Sequence, residues 1–178
     1  MSQLKIACAI TLLVGASSCA GGEQPSAPAA RAERSAPRPS AAAMSASTYV
    51  TRAASIDLFV IGSSKLALQR STSPRVRDFA RSEIRSHEGL GAQLSLAGRR
   101  LNLLPSATLL PEHQAMLNQL QATSDVDGTY RRQQQAIHQQ ALTLHANYAA
   151  RGRSPTLKPV AAAAAQTIRA HLSLANRL

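Results

Sequence analysis

The chain has 178 residues, of which 44% are hydrophobic, only 3% are aromatic and none is tryptophan. That is room for one domain of ordinary size, and a core of Ala, Leu, Ile and Val with few rings suits closely packed helices and argues against a sheet-rich fold. The formal charge of +11 comes from 20 Lys and Arg against 9 Asp and Glu. These basic residues are scattered, as on a solvated Arg-rich surface. Its partners would be polyanions, here anionic envelope components such as lipopolysaccharide phosphates. No nucleic-acid motif, glycine-rich phosphate loop or Ser/His/Asp constellation stands out, so nucleic acid is not an expected partner. The two cysteines, Cys8 and Cys19, precede the globular part and exclude a disulfide framework or thiolate metal site there.

Residues 1–18 read as a lipoprotein signal peptide. Lys5 supplies a short positive region, Ile6 to Ala16 an apolar run, and Ser17 and Ser18 small residues before Cys19. The run is too short for a transmembrane helix, which needs about 20 apolar residues. Ala16-Ser17-Ser18-Cys19 resembles the lipobox of bacterial lipoproteins. The resemblance implies that Cys19 is lipidated, becomes the first mature residue and anchors the chain to a membrane through two or three acyl chains. Ordinary cleavage nearby, leaving a soluble periplasmic protein, is the alternative. Ala20 follows the cysteine where Asp would mark inner-membrane retention, so by resemblance to enterobacterial sorting the expected place is the outer membrane, on the periplasmic side. Cys8 would leave with the signal and is assigned no role.

Residues 19–45, with Pro25, Pro28, Pro37 and Pro39 among Gly, Ser and Ala, lack apolar periodicity and read as a disordered tether. As a coil it would span about 30 Å, and roughly 80 Å in polyproline geometry. From residue 46 to 178 the pattern is helical. A first helix is expected over 46–71, with Tyr49, Ala53, Ile56, Val60, Ser64 and Ala67 on one face. Ser73-Pro74 is a cap-plus-proline start for a second helix over 74–101, with the stripe Val76, Phe79, Ala80, Glu83, His87, Leu90, Leu94, Ala97 and Leu101. A loop over 102–110 ends at Pro111, and a short helix over 111–122 carries Ala115, Met116 and Leu120. A third long helix over 126–151 has the stripe Tyr130, Gln134, Ile137, His138, Ala141, Leu144, His145 and Tyr148, and Gly152 ends it. Ser154-Pro155 repeats the earlier start for a fourth long helix to about 177, whose inner face is Leu157, Val160, Ala161, Ala164, Ile168, His171, Leu172 and Ala175.

Four long helices of similar length, each with one apolar face, predict an all-α four-helix bundle. The link between the second and third long helices is long enough to cross the whole bundle, as in ferritin-like topology.

Several segments carry a family resemblance: Asp57 through Leu68, Arg85-Ser86-His87, Leu109 through Leu117, Asp127 through Tyr130, Ala136-Ile137-His138, and Arg169-Ala170-His171-Leu172. In order and spacing they resemble domain of unknown function 4142, a bacterial family of predicted secreted or outer-membrane proteins regarded as ferritin-like. The resemblance spans about 45–178 and implies fold and compartment more than activity. The family pattern places Glu where this chain has Val60 and Asp-His where it has Ser86-His87, while His138 and His171 match. Carboxylates are thus expected to be eroded and three histidines retained.

Midpoints of equal-length helices share one level of a bundle, so His87, His138 and His171 are expected to converge, with Glu83 one turn before His87. Two readings follow. In one, the histidines form a polar core layer that fixes helix register, no cofactor is bound, and the protein is a non-catalytic cell-envelope module. In the other, it is a degenerate ferritin-like metalloprotein holding one transition metal (Zn, Cu or Fe) through Glu83, His87, His138 and His171. A di-iron oxidase fits worse, because it needs several bridging carboxylates and Glu-x-x-His pairs. His113 is expected on the surface, and His145 in a second polar layer or an interface.

Overall fold

The computed structural model describes residues 43–178. The expected signal peptide, Cys8, Cys19 and nearly all of the tether lie outside the described residues. Among those described there are five helices and no strand: α1 (Ala46–Arg70), α2 (Pro74–Arg99), α3 (Pro111–Ala122), α4 (Val126–Arg151) and α5 (Leu157–Ala175). None is long and apolar enough to cross a membrane.

The sequence signals at the helix ends do what their chemistry requires. Ser45 and Ser73 accept from the backbone N–H groups of Thr48 and Val76, and Asp125 from that of Gly128. Each thereby satisfies a donor that has no partner within the helix. Arg77 donates to the carbonyls of Leu68 and Ser71 and ties off the end of α1. Gly152 closes α4, donating to the Tyr148 carbonyl over 2.7 Å. A Cβ there would stand 2.5 Å from that oxygen and 2.7 Å from the Tyr148 ring, so only glycine fits. Regular α5 begins at Leu157, two residues after the expected proline start. Ser154 nevertheless prepares it, accepting from Leu157 N–H through its hydroxyl and from Lys158 N–H through its carbonyl.

The long helices form a four-helix bundle in which α1 packs on α2 and α4, and α5 on α2 and α4. Residue pairs between α1 and α4 show the direction: Tyr49 meets His145, Ser63 meets Gln134, and Ser64 meets Tyr130. Numbers fall along α1 as they rise along α4, so these neighbours are antiparallel. Since α1 and α2 also run antiparallel, α2 and α4 are parallel, and their link must return across the bundle. It does so along α1: Leu110 N–H donates to Ser55 at the start of α3, and Arg70 holds the carbonyls of Leu120, Gln121 and Thr123 at its end.

Two apolar clusters fill the bundle. The larger joins Tyr49, Phe59, Leu94, Ile137, Leu157 and Ile168; the smaller joins Ala67, Phe79, Leu120, Tyr130 and Ala175. The helix stripes read from the sequence are the buried faces of all four long helices, except that Leu101, Val160 and Leu172 are half-buried. The short helix differs. Its inward residues are His113, Met116, Leu117 and Leu120, while Ala115 is exposed. His113, expected on the surface, is 1% exposed, because α3 lies flat on α1 and presents this position to Ser55 and Phe59.

Candidate metal centre

Between the apolar clusters the bundle carries a layer of ionisable groups. Glu83 and His87 come from α2, one turn apart, so they share a face. His138 comes from α4 and His171 from α5. All four are buried, and one potential ligand atom from each lies within 4.8 Å of the others. The three imidazole centroids form a nearly equilateral triangle with sides of 5.5, 5.7 and 5.6 Å. Glu83 Oε2 stands 2.9 Å from His138 Nε2, 3.0 Å from His171 Nδ1 and 3.4 Å from His87 Nε2.

The outer side of the rings fixes their orientation. His138 Nδ1 lies 2.8 Å from the Gln134 carbonyl oxygen, which can only accept, so Nδ1 carries a proton and donates. His87 Nδ1 lies 2.8 Å from Asp57 Oδ1, a carboxylate on α1. Both rings therefore turn Nε2 inward. An imidazole whose outer nitrogen donates to a carboxylate or carbonyl is the usual support for a metal-ligating histidine.

The electrostatics follow from this crowding. Burial alone would raise the pKa of Glu83, but the His138, His171 and His87 imidazoles crowded round its Oε2 outweigh it and hold the carboxyl far below the ordinary range. Burial alone would lower the pKa of His87, but its bond to Asp57 and the nearby Glu83 carboxylate win and push it up to about 9. Asp57 is raised by burial, against the hydrogen bond from His87. Together these directions describe one proton shared along the Asp57–His87 contact beside an ionised Glu83.

The donor set passes a simple fit test. Three buried polar atoms of the layer, Glu83 Oε1, His87 Nε2 and His171 Nδ1, find no hydrogen-bond partner among the described residues. With Nδ1 donating outward, His138 Nε2 can stand 2.9 Å from a carboxylate oxygen only with a proton or a metal ion between them. Ligand atoms of a tetrahedral site with bonds of about 2.0–2.1 Å are roughly 3.3 Å apart, close to the spacings from Glu83 Oε2. Three imidazoles and one carboxylate suit a borderline divalent transition metal better than magnesium, calcium or a thiolate-seeking ion.

The four residues expected to meet, Glu83, His87, His138 and His171, are those brought together. Val60 is buried in the larger apolar cluster and supplies no ligand. The carboxylate contribution of α1 was not legible at its position. It comes from Asp57, three residues earlier, on the same buried face. The signal was present, since an acid on an otherwise apolar or small-residue face rarely stays buried without a partner. His145 stands apart in a second polar layer, its Nδ1 3.0 Å from the Tyr49 hydroxyl, and burial pushes it down to about 4. His113 is bonded through Nδ1 to Ser55 at 2.7 Å and is no part of the centre.

The family profile described as "Domain of unknown function (DUF4142)" matches residues 31–178. The chain belongs to this family. No curated protein matches it significantly. Among solved structures, CopM in the Cu(II)-bound form is similar with a TM-score of 0.63 and 18% identity, over 74% of this chain and 93% of that one. CopM in the Cu(I)-bound form is similar with a TM-score of 0.63 and 15% identity, over 75% and 94%. At these identities the likeness is one of fold: this family member shares its helical architecture with CopM.

Proposed function

We propose that this protein is a non-catalytic metal-binding lipoprotein of the bacterial cell envelope, holding one divalent transition metal ion through Glu83, His87, His138 and His171. The observation that carries the reading is the inward turn of His87 and His138, each supported from outside, by Asp57 and by the Gln134 carbonyl, onto the single Glu83 carboxylate. Copper is the first ion to load, because the structurally similar CopM is described in Cu(II)- and Cu(I)-bound forms. The nitrogen and oxygen donors favour Cu(II) over Cu(I), which prefers sulfur, and leave Zn(II) as the competitor. A di-iron centre is not supported. Asp57 is engaged by His87, and a single Glu remains where such sites use several bridging carboxylates. The envelope location rests on Ala16-Ser17-Ser18-Cys19, with Cys19 as the lipidated residue.

The test is metal analysis of the purified chain after loading with Cu(II) or Zn(II) and removal of excess, alongside His87→Ala and His138→Ala. The expected result is one ion per chain, lost in both variants. Substoichiometric metal, or equal retention in the variants, would leave the layer as a polar register device and overturn the reading. Mass spectrometry of Cys19 from the native membrane fraction tests the anchor separately.

A further inference from the structure

Four buried ligands need an approach path. A cavity of about 380 Å³ lies between α1, α2 and the loop that follows α2. Ala54, Leu58, Leu94 and Leu104 give it apolar walls. Its polar lining includes Asp57, Glu88, His87 and two serines, and it contains neither lysine nor arginine. Elsewhere on α2, next to Phe79 and Ser82, a groove is bordered by Arg75, Arg177 and Asp78. In a chain of net charge +11, the first cavity is a local sink for cations, while the second is lined by both signs of charge.

The floor of the acidic cavity leads directly into the centre. Asp57 is 5% exposed, and its Oδ1 is occupied by His87 Nδ1. Its Oδ2 faces Gly91, 3.7 Å from where a Cβ would stand, and has no hydrogen-bond partner among the described residues. It is therefore a carboxylate oxygen on the cavity wall, open to what enters the cavity. His87 lines the same cavity and on its far side approaches Glu83 Oε2 at 3.4 Å. The ring is the partition between cavity and centre.

We infer that the cavity bounded by Asp57, Glu88, Gly91 and Leu104 is the entry vestibule through which a hydrated divalent cation reaches and leaves the centre, with Asp57 as its first protein contact and His87 as the gate. This rests on the metal-binding reading. Gly91 is then required as an open position above Asp57. A Cβ would make only ordinary contact there, so a larger side chain can be built into the opening without disturbing α2.

Uptake of Cu(II) by the full chain can be followed by stopped-flow quenching of tyrosine emission, release by a chelator chase, and affinity by competition. Gly91→Leu should slow uptake and release at least tenfold each while leaving Kd within about threefold. Glu88→Lys, at an exposed rim position, should slow uptake several-fold at low salt and converge on the parent at high salt, because screening removes the difference. Arg177→Glu in the second groove should leave uptake unchanged. Should Gly91→Leu fail to fold, Glu88→Lys alone decides. Parent-like rates in the vestibule variants, or faster uptake in Arg177→Glu, would overturn the route while leaving the metal site intact. Absence of Cu(II) binding by the parent would instead remove the site and the route together.

Discussion

Metal loading should expel a proton, and the size of the effect follows from the apo centre. His87 carries its proton up to about pH 9, because Asp57 and Glu83 flank it against the opposing cost of burial. A metal ion needs the Nε2 lone pair, so below pH 9 it competes with that proton. At pH 7 the competition spans about two pH units, at about 1.4 kcal/mol each. Apparent affinity should therefore be about 100-fold weaker at pH 7 than on the plateau well above pH 9, rising about tenfold per unit near pH 7 and levelling off through pH 9. Competition against a chromophoric chelator, corrected for the chelator's own titration, measures the slope. Calorimetry at pH 7.5 in buffers of different ionisation enthalpy counts the protons released, expected to be about one from His87. An affinity flat between pH 7 and 9, with no buffer dependence of the heat, would show that His87 is neutral before metal arrives and that the Asp57–His87–Glu83 bridge does not hold a proton.

Asp57→Asn keeps an acceptor for His87 Nδ1 but removes its charge. At pH 9 the metal affinity should fall about 10- to 100-fold, the usual cost of losing an outer carboxylate, and the plateau should begin at lower pH because His87 deprotonates more easily. His145 has a folded value of about 4 against about 6.5 unfolded, so the unfolded state binds its proton first as pH falls. The stability that its neutral form contributes is present above pH 6.5 and is lost down to about pH 4. Between pH 6.5 and 5 that amounts to about 2 kcal/mol, and urea denaturation of the apo protein should show it shrink in His145→Asn. Comparing the parent with His145→Asn at each pH cancels the contribution of His87, whose folded value of about 9 lies above this window. Gly152→Ala should destabilise by roughly 1–3 kcal/mol, as overpacking does, because the methyl group would press on the Tyr148 carbonyl and ring; a thermal melt unchanged from the parent would contradict the close approach.

The parts of the fold legible in the sequence were those governed by local chemistry and helical period. Ser73-Pro74 announced a helix start because a side-chain acceptor three residues before a free N–H is a local matter. The stripes through Glu83-His87 and Ile137-His138 announced the buried faces because burial repeats with the helix. The crossover helix was misread at His113 and Ala115 for a related reason. Its 12 residues contain too few turns to fix a phase, and the polar residue that packs inward does so only because Ser55 of α1 waits for it. The site was legible on α2, α4 and α5, where histidines interrupt apolar stripes. On α1 the family pattern carries a carboxylate at position 60, where this chain has Val60. The acid that acts sits one turn earlier, at Asp57, and only the packing of α1 against α2 reveals that its partner is the far side of His87.

That partnership also weighs the two readings of the layer against each other. A polar layer that merely fixes register gains most by matching donors with acceptors, as Tyr130 does with Ser64. Gln134 donates to Ser63 but leaves its own Oε1 unpaired, and the Glu83 layer concentrates such atoms in one place. Three imidazoles converge on one carboxylate oxygen, while Glu83 Oε1, His87 Nε2 and His171 Nδ1 go unpaired, each at a cost of about 1–3 kcal/mol for a buried group. Leucine at these positions would give a register just as firm without that burden. The arrangement gains only when a positive charge stands among the inward nitrogens and Glu83. Protons supply it in part, whereas a divalent ion would supply it for all four groups together. Glu83→Gln separates the two cases. Loss of the carboxylate charge should weaken metal binding far more than it weakens the apo fold, because the amide still offers His138 an acceptor. Equal penalties in apo and loaded protein, compared by urea denaturation with and without Cu(II), would assign the layer to architecture alone.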